Sequence, residues 1–361
     1  MKPTTSLSSF GIGLTIFSMF FGAGNSIFPL YVGVMSKGLW HISFLGLFLT
    51  AIVMPVLGIF AILKSKGDPL YFFERMGKPF GFFVATLVIS LLGPLGSTPR
   101  CIAISYSTLI GDSVTSMPVF AFFSCLLIFL CSLKKRYILT IIGYALTPIL
   151  ILSLISIIIA GLVSENITTG AIESTHNLFF LGLFEGYKTM DLLASFFFSS
   201  TILSLISRSQ SSERLLIRGG IIGGMLLAIM YGGFCFVAGT HANFLSNVPQ
   251  EQLLSKVAEI LLGNRASFIV KIAISTACLT TAIALITAFT DFMQVRVLKN
   301  KISYTYVLAG SLCVTFGVSM FEFSNISQML STILNVIYPV VILLTLFSCF
   351  FKQTEKSIES Y

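Results

Sequence analysis

Charged side chains are scarce in this sequence. Asp, Glu, Lys and Arg make up 10% of the 361 residues, hydrophobic residues make up 55%, and the mean hydropathy is +0.96. Soluble globular domains carry about 25% charged residues, so the composition excludes that class. A helix needs about 20 apolar residues to cross a membrane, and this length allows roughly ten such spans with short connections. The sequence therefore predicts an all-α polytopic membrane protein, organised as a single domain over residues 1–361.

Histidine and acidic residues are also few, with 3 His and 14 Asp plus Glu. The seven cysteines all fall inside apolar runs and have no metal-ligand spacing, so they predict neither disulfides nor a metal centre. An intramembrane enzyme would need facing ionisable groups at membrane depth, and few are available. We therefore expect a non-enzymatic protein without a cofactor, and keep an enzyme only as the less favoured alternative.

The net charge of +8 comes from short basic clusters between apolar runs. This distribution is typical of cytoplasmic loops of membrane proteins and gives no reason to expect a nucleic-acid partner. It predicts that both termini are cytoplasmic, with membrane lipid as the surrounding partner. The ten predicted spans are 10–33, 39–63, 79–109, 116–133, 137–162, 189–207, 217–240, 267–292, 302–320 and 325–351.

Two spans at matching positions in the halves of the sequence contain helix-breaking or polar residues. Span one is interrupted at Gly22 and Gly24, and span six follows the polar stretch 185–191. Paired interrupted helices are the sequence mark of transporters built from two inverted units. The interpretation is a five-plus-five inverted repeat, with a first unit over about 10–162, a second over about 178–351, and discontinuous helices one and six.

The interruption in span one, FFGAGNSIFP, lies in a run without charge from 3 to 36. Backbone groups freed by unwinding cost several kcal/mol each in a membrane unless they are buried or bind a ligand. Carbonyls before the break at Phe21 and N–H groups after it would suit the ammonium and carboxylate of an amino acid, and Gly22, Ala23, Gly24 and Asn25 form the break. A glycine-rich packing face with a proline kink is the alternative, and we favour the binding site.

Two further groups of polar residues have alternative interpretations. In span eight, Ala277, Thr280 and Thr281 share a helical face and offer oxygen ligands suited to sodium, although paired threonines more often bond to carbonyls one turn back. Asp191 lies in a polar cluster at the outer mouth of span six. It is either part of a solvated helix entrance, the more common situation, or a proton-linked carboxylate if the coupling ion is H⁺.

Two features on the outer side remain open at this point. Arg100, which follows Pro99 in span three, is either a gate or anchor, or an arginine extending to the membrane interface. Apolar residues recur at helical spacing from Val248 to Leu262 and predict an amphipathic surface helix, which would either cover an outward cavity or lie on the membrane.

Four motifs in order resemble the bacterial branched-chain amino acid:cation symporters, the LIVCS or BrnQ-type family of the APC superfamily. They are FFGAGNSIFP, GPLGSTPR at 93–100, EGYKTMD at 185–191 and CLTTA at 278–282. The resemblance implies a LeuT-type fold and secondary active import of leucine, isoleucine and valine, coupled to Na⁺ or H⁺ by alternating access across the bacterial inner membrane. Members typically have two more spans, and we expect the ten-span core to be complete without them.

The resemblance also implies roles for individual residues. The substrate carboxylate would lie on the backbone of Gly22, Ala23, Gly24 and Asn25, and the apolar side chain among Ser195, Phe196 and Phe197. The Na⁺ ion would be held by carbonyls of Ser18, Phe21 and Ala277 and by hydroxyls of Thr280 and Thr281, which now favours a cation site in span eight. Another neutral amino acid or small metabolite as cargo, and a passive channel, remain as alternatives.

Overall fold

The computed structural model describes residues 8–22, 24–110, 116–133, 147–164, 175–205 and 210–350, and every regular element in these ranges is helical. The α-helices are α1 (Ser9–Phe20), α2 (Phe28–Ser36), α3 (Trp40–Phe48), α4 (Met54–Lys64), α5 (Pro69–Phe73), α6 (Lys78–Leu92), α7 (Ser97–Leu109), α8 (Met117–Leu133), α9 (Thr147–Val163), α10 (Thr175–Thr189), α11 (Asp191–Leu205), α12 (Gln210–Thr240), α13 (Ala242–Leu245), α14 (Leu253–Phe292), α15 (Tyr304–Ser319) and α16 (Phe323–Phe350).

Five helical stretches are long and apolar enough to cross a membrane, and four shorter apolar helices accompany them in the described ranges. Three of the long stretches each consist of two or more helices that are consecutive in the chain, as in Phe28–Lys64 and Lys78–Leu109. Exposed Phe, Leu, Ile and Val side chains cover the outside, because lipid is as good an environment for them as the protein interior. The chain is a multi-pass membrane protein, as the composition predicts.

All ten predicted spans overlap helices, with 23, 137–146, 206–207 and 351 outside the described residues. Span six differs from the prediction in where it begins. The sequence predicts that it begins at 189 after an outer segment over 163–188, whereas Thr175–Thr189 is already helix α10. The charges that suggested a loop are tolerated in the helix because Lys188 Nζ and Glu185 Oε1 pair at 2.5 Å, one turn apart.

Three spans are interrupted. Span one breaks between α1 and α2, and span six breaks at the single residue Met190 between α10 and α11. The third break was not predicted: it separates α6 from α7 at Gly93–Gly96, where both glycines have non-helical backbone angles. A Cβ at Gly93 would lie 2.8 Å from that of Phe289, so the break lets span three approach α14 closely.

The helices pack in two groups. In the first, α12 runs along both halves of span one, while α10 packs on α3 and α11 on α4. Small residues permit the close contact, since a Cβ at Gly13 would meet Ile222 at 2.6 Å. In the second group α7 and α9 pack on α14, and α15 packs on α8. The interrupted spans one and six therefore belong to one group and the interrupted span three to the other.

The predicted surface helix is present as the first part of α14. Gly263, with φ 75° and ψ 170°, separates it from the rest of the helix. Leu253, Leu254 and Val257 are at most 3% exposed, and the preceding turn Gln250–Gln252 packs on α7. Its apolar side therefore faces the protein.

Candidate functional site

A small cavity lies where the three interrupted spans meet, and span eight also contributes to its lining. The lining is polar on one side and apolar on another. The polar side chains are Asn25, Ser97, Arg100, Thr189, Asp191 and Thr281, and the apolar ones include Met19, Phe20, Leu92, Ala194, Phe198 and Leu285.

The break in span one borders this cavity. Helix α1 ends at Phe20, and Phe28 N donates to the Gly24 carbonyl at 2.9 Å as α2 begins. Pro29 stands in the first turn of α2, where a missing N–H costs nothing. Gly22 and Gly24 line the cavity, while Ala23 lies outside the described residues. The predicted interruption of the helix is confirmed.

Both glycines of this break approach other spans. A Cβ at Gly22 would lie 2.7 Å from Thr281 Cγ2, and a Cβ at Gly24 would lie 3.3 Å from the Lys188 carbonyl oxygen. The first contact joins span one to span eight, and the second joins the breaks of spans one and six. A larger residue at either position would push these elements apart.

The break in span six is sharper than that in span one. Met190 has φ 63°, a left-handed conformation that is uncommon for residues other than glycine, and it is 1% exposed. Helix α10 therefore ends at Thr189, whose Oγ1 donates to the Gly186 carbonyl at 2.8 Å, and α11 begins at Asp191. The N-terminus of α11 places positive dipole charge beside the Asp191 carboxylate.

Asp191 is the centre of a buried hydrogen-bond network. Asn25 Nδ2 lies 2.8 Å from each carboxylate oxygen, and the Tyr231 hydroxyl donates to Oδ2 at 2.9 Å. Asn25 Nδ2 also contacts the Tyr231 hydroxyl. Asp191 is 2% exposed, so the interpretation of this residue as part of a solvated helix entrance is wrong. The network joins spans one, six and seven.

Arg100 is buried in the first turn of α7 and is 1% exposed. Its Nη1 donates to the Lys188 carbonyl at 2.9 Å, which provides a partner at the carboxyl end of α10. Its guanidinium lies 5.5 Å from the centre of the Phe28 ring. The alternative of an arginine extending to the membrane interface is therefore wrong. Arg100 instead contacts spans one and six next to their breaks.

The predicted sodium ligands differ in their surroundings. Thr280 Oγ1 donates to the Ala277 carbonyl at 2.8 Å, as threonines in membrane helices commonly do. Thr281 Oγ1 is buried beside Gly22 and has no hydrogen-bond partner within the described part of the chain. On span one, Phe21 is buried and Ser18 is half-buried. Thr281 Oγ1 thus offers a free hydroxyl oxygen at the junction of spans one and eight.

The structure does not bring the predicted side-chain pocket residues to the cavity. Ser195 Oγ donates to the Leu192 carbonyl at 2.7 Å, Phe196 stacks on Phe72 at 4.6 Å, and Phe197 packs edge-on against Phe292. Ala194 and Phe198 of the same helix line the cavity instead. The prediction named these residues because it placed the break of span six among them, whereas the break lies earlier, at Met190.

Tyr231 is a site residue that the sequence reasoning missed. It lies in an uninterrupted apolar helix and has no local motif to mark it. The helical register alone could have placed it on the same face as Gly223 and Gly224, which pack against Ile16 and Val56. Its contact with Asp191 appears only when α12 is packed against both broken helices.

The family model for the branched-chain amino acid transport protein matches residues 6–361. The chain belongs to this family. As a member of it, the chain is a transporter and not an enzyme. It is 31% identical over 349 residues to the branched-chain amino acid transport system 3 carrier protein of Pseudomonas aeruginosa, with 93% of this chain and 79% of that protein covered. The permease BrnQ of Escherichia coli is 29% identical over 350 residues, with the same coverage.

A putative branched-chain amino acid carrier protein of Staphylococcus epidermidis is 30% identical over 358 residues, covering 92% of this chain and 79% of that protein. Among solved structures, a Na⁺-coupled sialic acid symporter in a substrate-bound outward-open state has a similar fold. The TM-score is 0.62 at 12% identity, with 96% of this chain and 80% of that chain covered. This family member therefore shares the fold of a known cation-coupled symporter.

Proposed function

We propose that this transporter imports leucine, isoleucine and valine together with a cation by alternating access. The observation that carries the proposal is that the breaks of spans one and six meet at one cavity, which Asp191 and Asn25 line. Two of the curated relatives are named as a carrier protein and a permease for branched-chain amino acids, which supports this substrate class. The bacterial inner membrane is the proposed location, with both termini in the cytoplasm as the basic loops indicate.

A five-plus-five inverted repeat, with units over about 10–162 and 178–351, is part of the proposal. In such a repeat span one corresponds to span six, and span two corresponds to span seven. A contact between spans one and seven should therefore have an equivalent contact between spans six and two. Both pairs are packed together here, as α1 with α12 and α10 with α3. The pairs three with eight and four with nine, seen as α7 with α14 and α8 with α15, map onto themselves. Two units of opposite orientation would produce this pattern.

The substrate is a zwitterion, and the breaks offer partners for both of its charges. The positive dipole end of α2, after Gly24, attracts a carboxylate, while the Asp191 carboxylate attracts an ammonium group. The apolar wall of Phe20, Leu92, Ala194 and Phe198 receives the branched side chain. The same fold with another neutral amino acid as cargo is the second candidate.

The proposed coupling ion is Na⁺, held between spans one and eight. Carbonyls of Ser18, Phe21 and Ala277 and the hydroxyls of Thr280 and Thr281 are hard oxygen donors, the ligand type that Na⁺ shares with Ca²⁺ and Mg²⁺. The unpartnered Thr281 Oγ1 supports this assignment. Proton coupling through Asp191 is the alternative ion mechanism.

Leucine uptake into proteoliposomes tests the proposed function. Purified protein should accumulate labelled leucine above the external concentration when an inward Na⁺ gradient is imposed at fixed pH, because a symporter converts the ion gradient into a substrate gradient. Uptake that only equilibrates leucine, with or without a gradient, would contradict symport. A panel of unlabelled neutral amino acids as competitors separates branched-chain substrates from other cargo, and replacing Na⁺ by choline under a pH gradient identifies proton coupling.

The substitution Thr281→Val tests the cation site. It removes the free hydroxyl while keeping the shape, so we expect the Na⁺ concentration for half-maximal leucine uptake to rise about 10-fold, the equivalent of roughly 1.4 kcal/mol. Thr276→Val, which removes a hydroxyl on the exposed side of the same helix, is the matched control and should leave this concentration unchanged. An unaltered sodium dependence in Thr281→Val would remove span eight from the ion site.

A further inference from the structure

Two charged residues, one of each sign, line the described cavity: Arg100 from span three and Asp191 from span six. Both are nearly completely buried, at 1% and 2% exposed. A buried charge is costly unless it is paired or well hydrogen-bonded, so two such groups at one cavity call for a functional reason.

The two charges do not neutralise each other through direct contact. The ion pairs within 4.0 Å in the described ranges join other residues, and Asp191 is bonded to the neutral side chains of Asn25 and Tyr231. The Arg100 guanidinium likewise contacts neutral acceptors: the Lys188 carbonyl, Ser97 Oγ and Met190 Sδ. Neither charge is therefore neutralised by an ion-pair partner among the described residues.

Arg100 has hydrogen-bonding capacity to spare. Its Nε–H is buried and lacks a partner in the part of the chain that is described, and two of its other contacts, to Ser97 Oγ and Met190 Sδ, are each 3.4 Å. For an oxygen acceptor 3.4 Å is long; for the larger sulfur it is an ordinary distance, but a thioether sulfur is a weak acceptor. A carboxylate would satisfy these donors better, because the planar guanidinium fork matches carboxylate geometry.

Arg100 also lies beside the break that the proposed carboxylate site uses. The Lys188 carbonyl that accepts from its Nη1 would be 3.3 Å from a Cβ at Gly24, and the Phe28 ring beneath the guanidinium opens α2. Asp191 is reached from the same break through Asn25. Both charges thus lie near the start of α2.

We propose that Arg100 binds the carboxylate of the transported amino acid while Asp191 binds its ammonium group, so that the cavity selects zwitterions over molecules with one of the two charges. The inference rests on the proposed function and deepens it by naming a substrate-binding residue in span three. The Arg100 Nε–H and the Arg100 terminal nitrogens then donate to the carboxylate, which also lies near the positive dipole end of α2.

Competition of labelled leucine uptake in proteoliposomes tests the assignment with three unlabelled compounds: leucine, leucinol, which lacks the carboxylate, and 4-methylpentanoate, which lacks the ammonium group. Hydrogen bonds to charged groups are worth about 10- to 100-fold in affinity. In the wild-type chain we expect both analogues to inhibit about 10- to 100-fold more weakly than leucine. Inhibition by leucinol equal to that by leucine would overturn the proposal without any variant.

The variant Arg100→Met should weaken inhibition by leucine but not inhibition by leucinol, because only leucine has the carboxylate that Arg100 binds. The ratio between the leucinol and leucine concentrations that give equal inhibition should fall to about 3-fold or less. Arg75→Met is the matched control, because Arg75 is partly buried and donates to Ser348 Oγ away from the cavity. Its ratio should remain that of the wild type. A parallel weakening of leucine and leucinol in Arg100→Met would show a structural role only and overturn the assignment.

Arg100→Lys keeps the charge and removes the fork, and is measured if Arg100→Met does not yield folded protein. It should lower the leucine-to-leucinol ratio by a smaller factor, and an unchanged ratio would overturn the proposal. The proposed function is tested separately by wild-type uptake. No leucine uptake would contradict the function, whereas uptake with an unchanged ratio in the Arg100 variants would contradict only this inference.

Discussion

Asp191→Asn is expected to lower cation-driven leucine uptake by about 100-fold. The substitution preserves the shape of the side chain but removes its charge, and it places a second amide opposite the Asn25 Nδ2 group, which now lies 2.8 Å from each carboxylate oxygen. Hydrogen bonds to charged groups contribute about 1.5–3 kcal/mol, and the upper end of that range corresponds to roughly 100-fold. The rate of transport should be reduced because the network joins the breaks of spans one and six.

The measurement is initial uptake of labelled leucine at a fixed Na⁺ gradient, normalised to folded protein. Asp68→Asn is the control, since that carboxylate is one-third exposed and pairs with Arg296 at 2.7 Å outside the cavity. An exposed pair of this kind contributes about 0–1 kcal/mol, so the control should retain most of its uptake. Uptake by Asp191→Asn within a factor of three of the wild type would contradict a role of Asp191 in transport.

Gly22→Val is the second substitution with a severe expected effect, a loss of at least 10-fold in uptake. Its Cβ would lie 2.7 Å from Thr281 Cγ2, closer than real side chains approach, and 3.2 Å from Thr281 Oγ1, a tight contact. Overpacking of this kind costs about 1–3 kcal/mol, and here the strain falls on the contact between the break and the proposed cation ligand. Both leucine affinity and sodium dependence should therefore deteriorate together.

Gly11→Val provides the comparison, because it introduces the same residue into the same broken span, where the nearest described atom, Ser8 Oγ, would be 3.5 Å away. Thermal unfolding in detergent distinguishes misfolding from loss of transport. If Gly22→Val transports leucine as well as Gly11→Val with an unaltered sodium requirement, the contact between spans one and eight does not hold the ion.

The break in span one was predictable because its cause is local. Gly22 and Gly24 weaken a helix without adding apolar surface for contact with lipid, and Pro29 is typical of the first turn of a helix. These residues alone therefore indicate where α1 ends and α2 begins. Asn25 was recognised for the same reason, as a polar residue in a run without charge. The interpretation of Thr281 depended on a family resemblance, and its unpartnered hydroxyl keeps that prediction open to the test above.

The break in span six was misplaced because its cause is not local. Met190 is a residue that normally favours helix, and its left-handed backbone persists because neighbouring spans surround it: Ser97 Oγ and Arg100 Nη2 both contact its sulfur. Placing the break too late displaced the predicted side-chain pocket onto Ser195, Phe196 and Phe197. Ala194 and Phe198 line the cavity instead.

Composition and charge distribution were sufficient to establish a helical multi-pass membrane protein, its spans and one of its breaks, because hydropathy and helix-breaking residues act over short stretches of chain. Packing alone decided the remainder. It buried Arg100, brought Asn25 to Asp191 across 166 residues of sequence and Tyr231 to Asp191 across 40, and set the two charges at one cavity. Such contacts depend on which helices lie side by side, and the residues carry no local signal of their future neighbours.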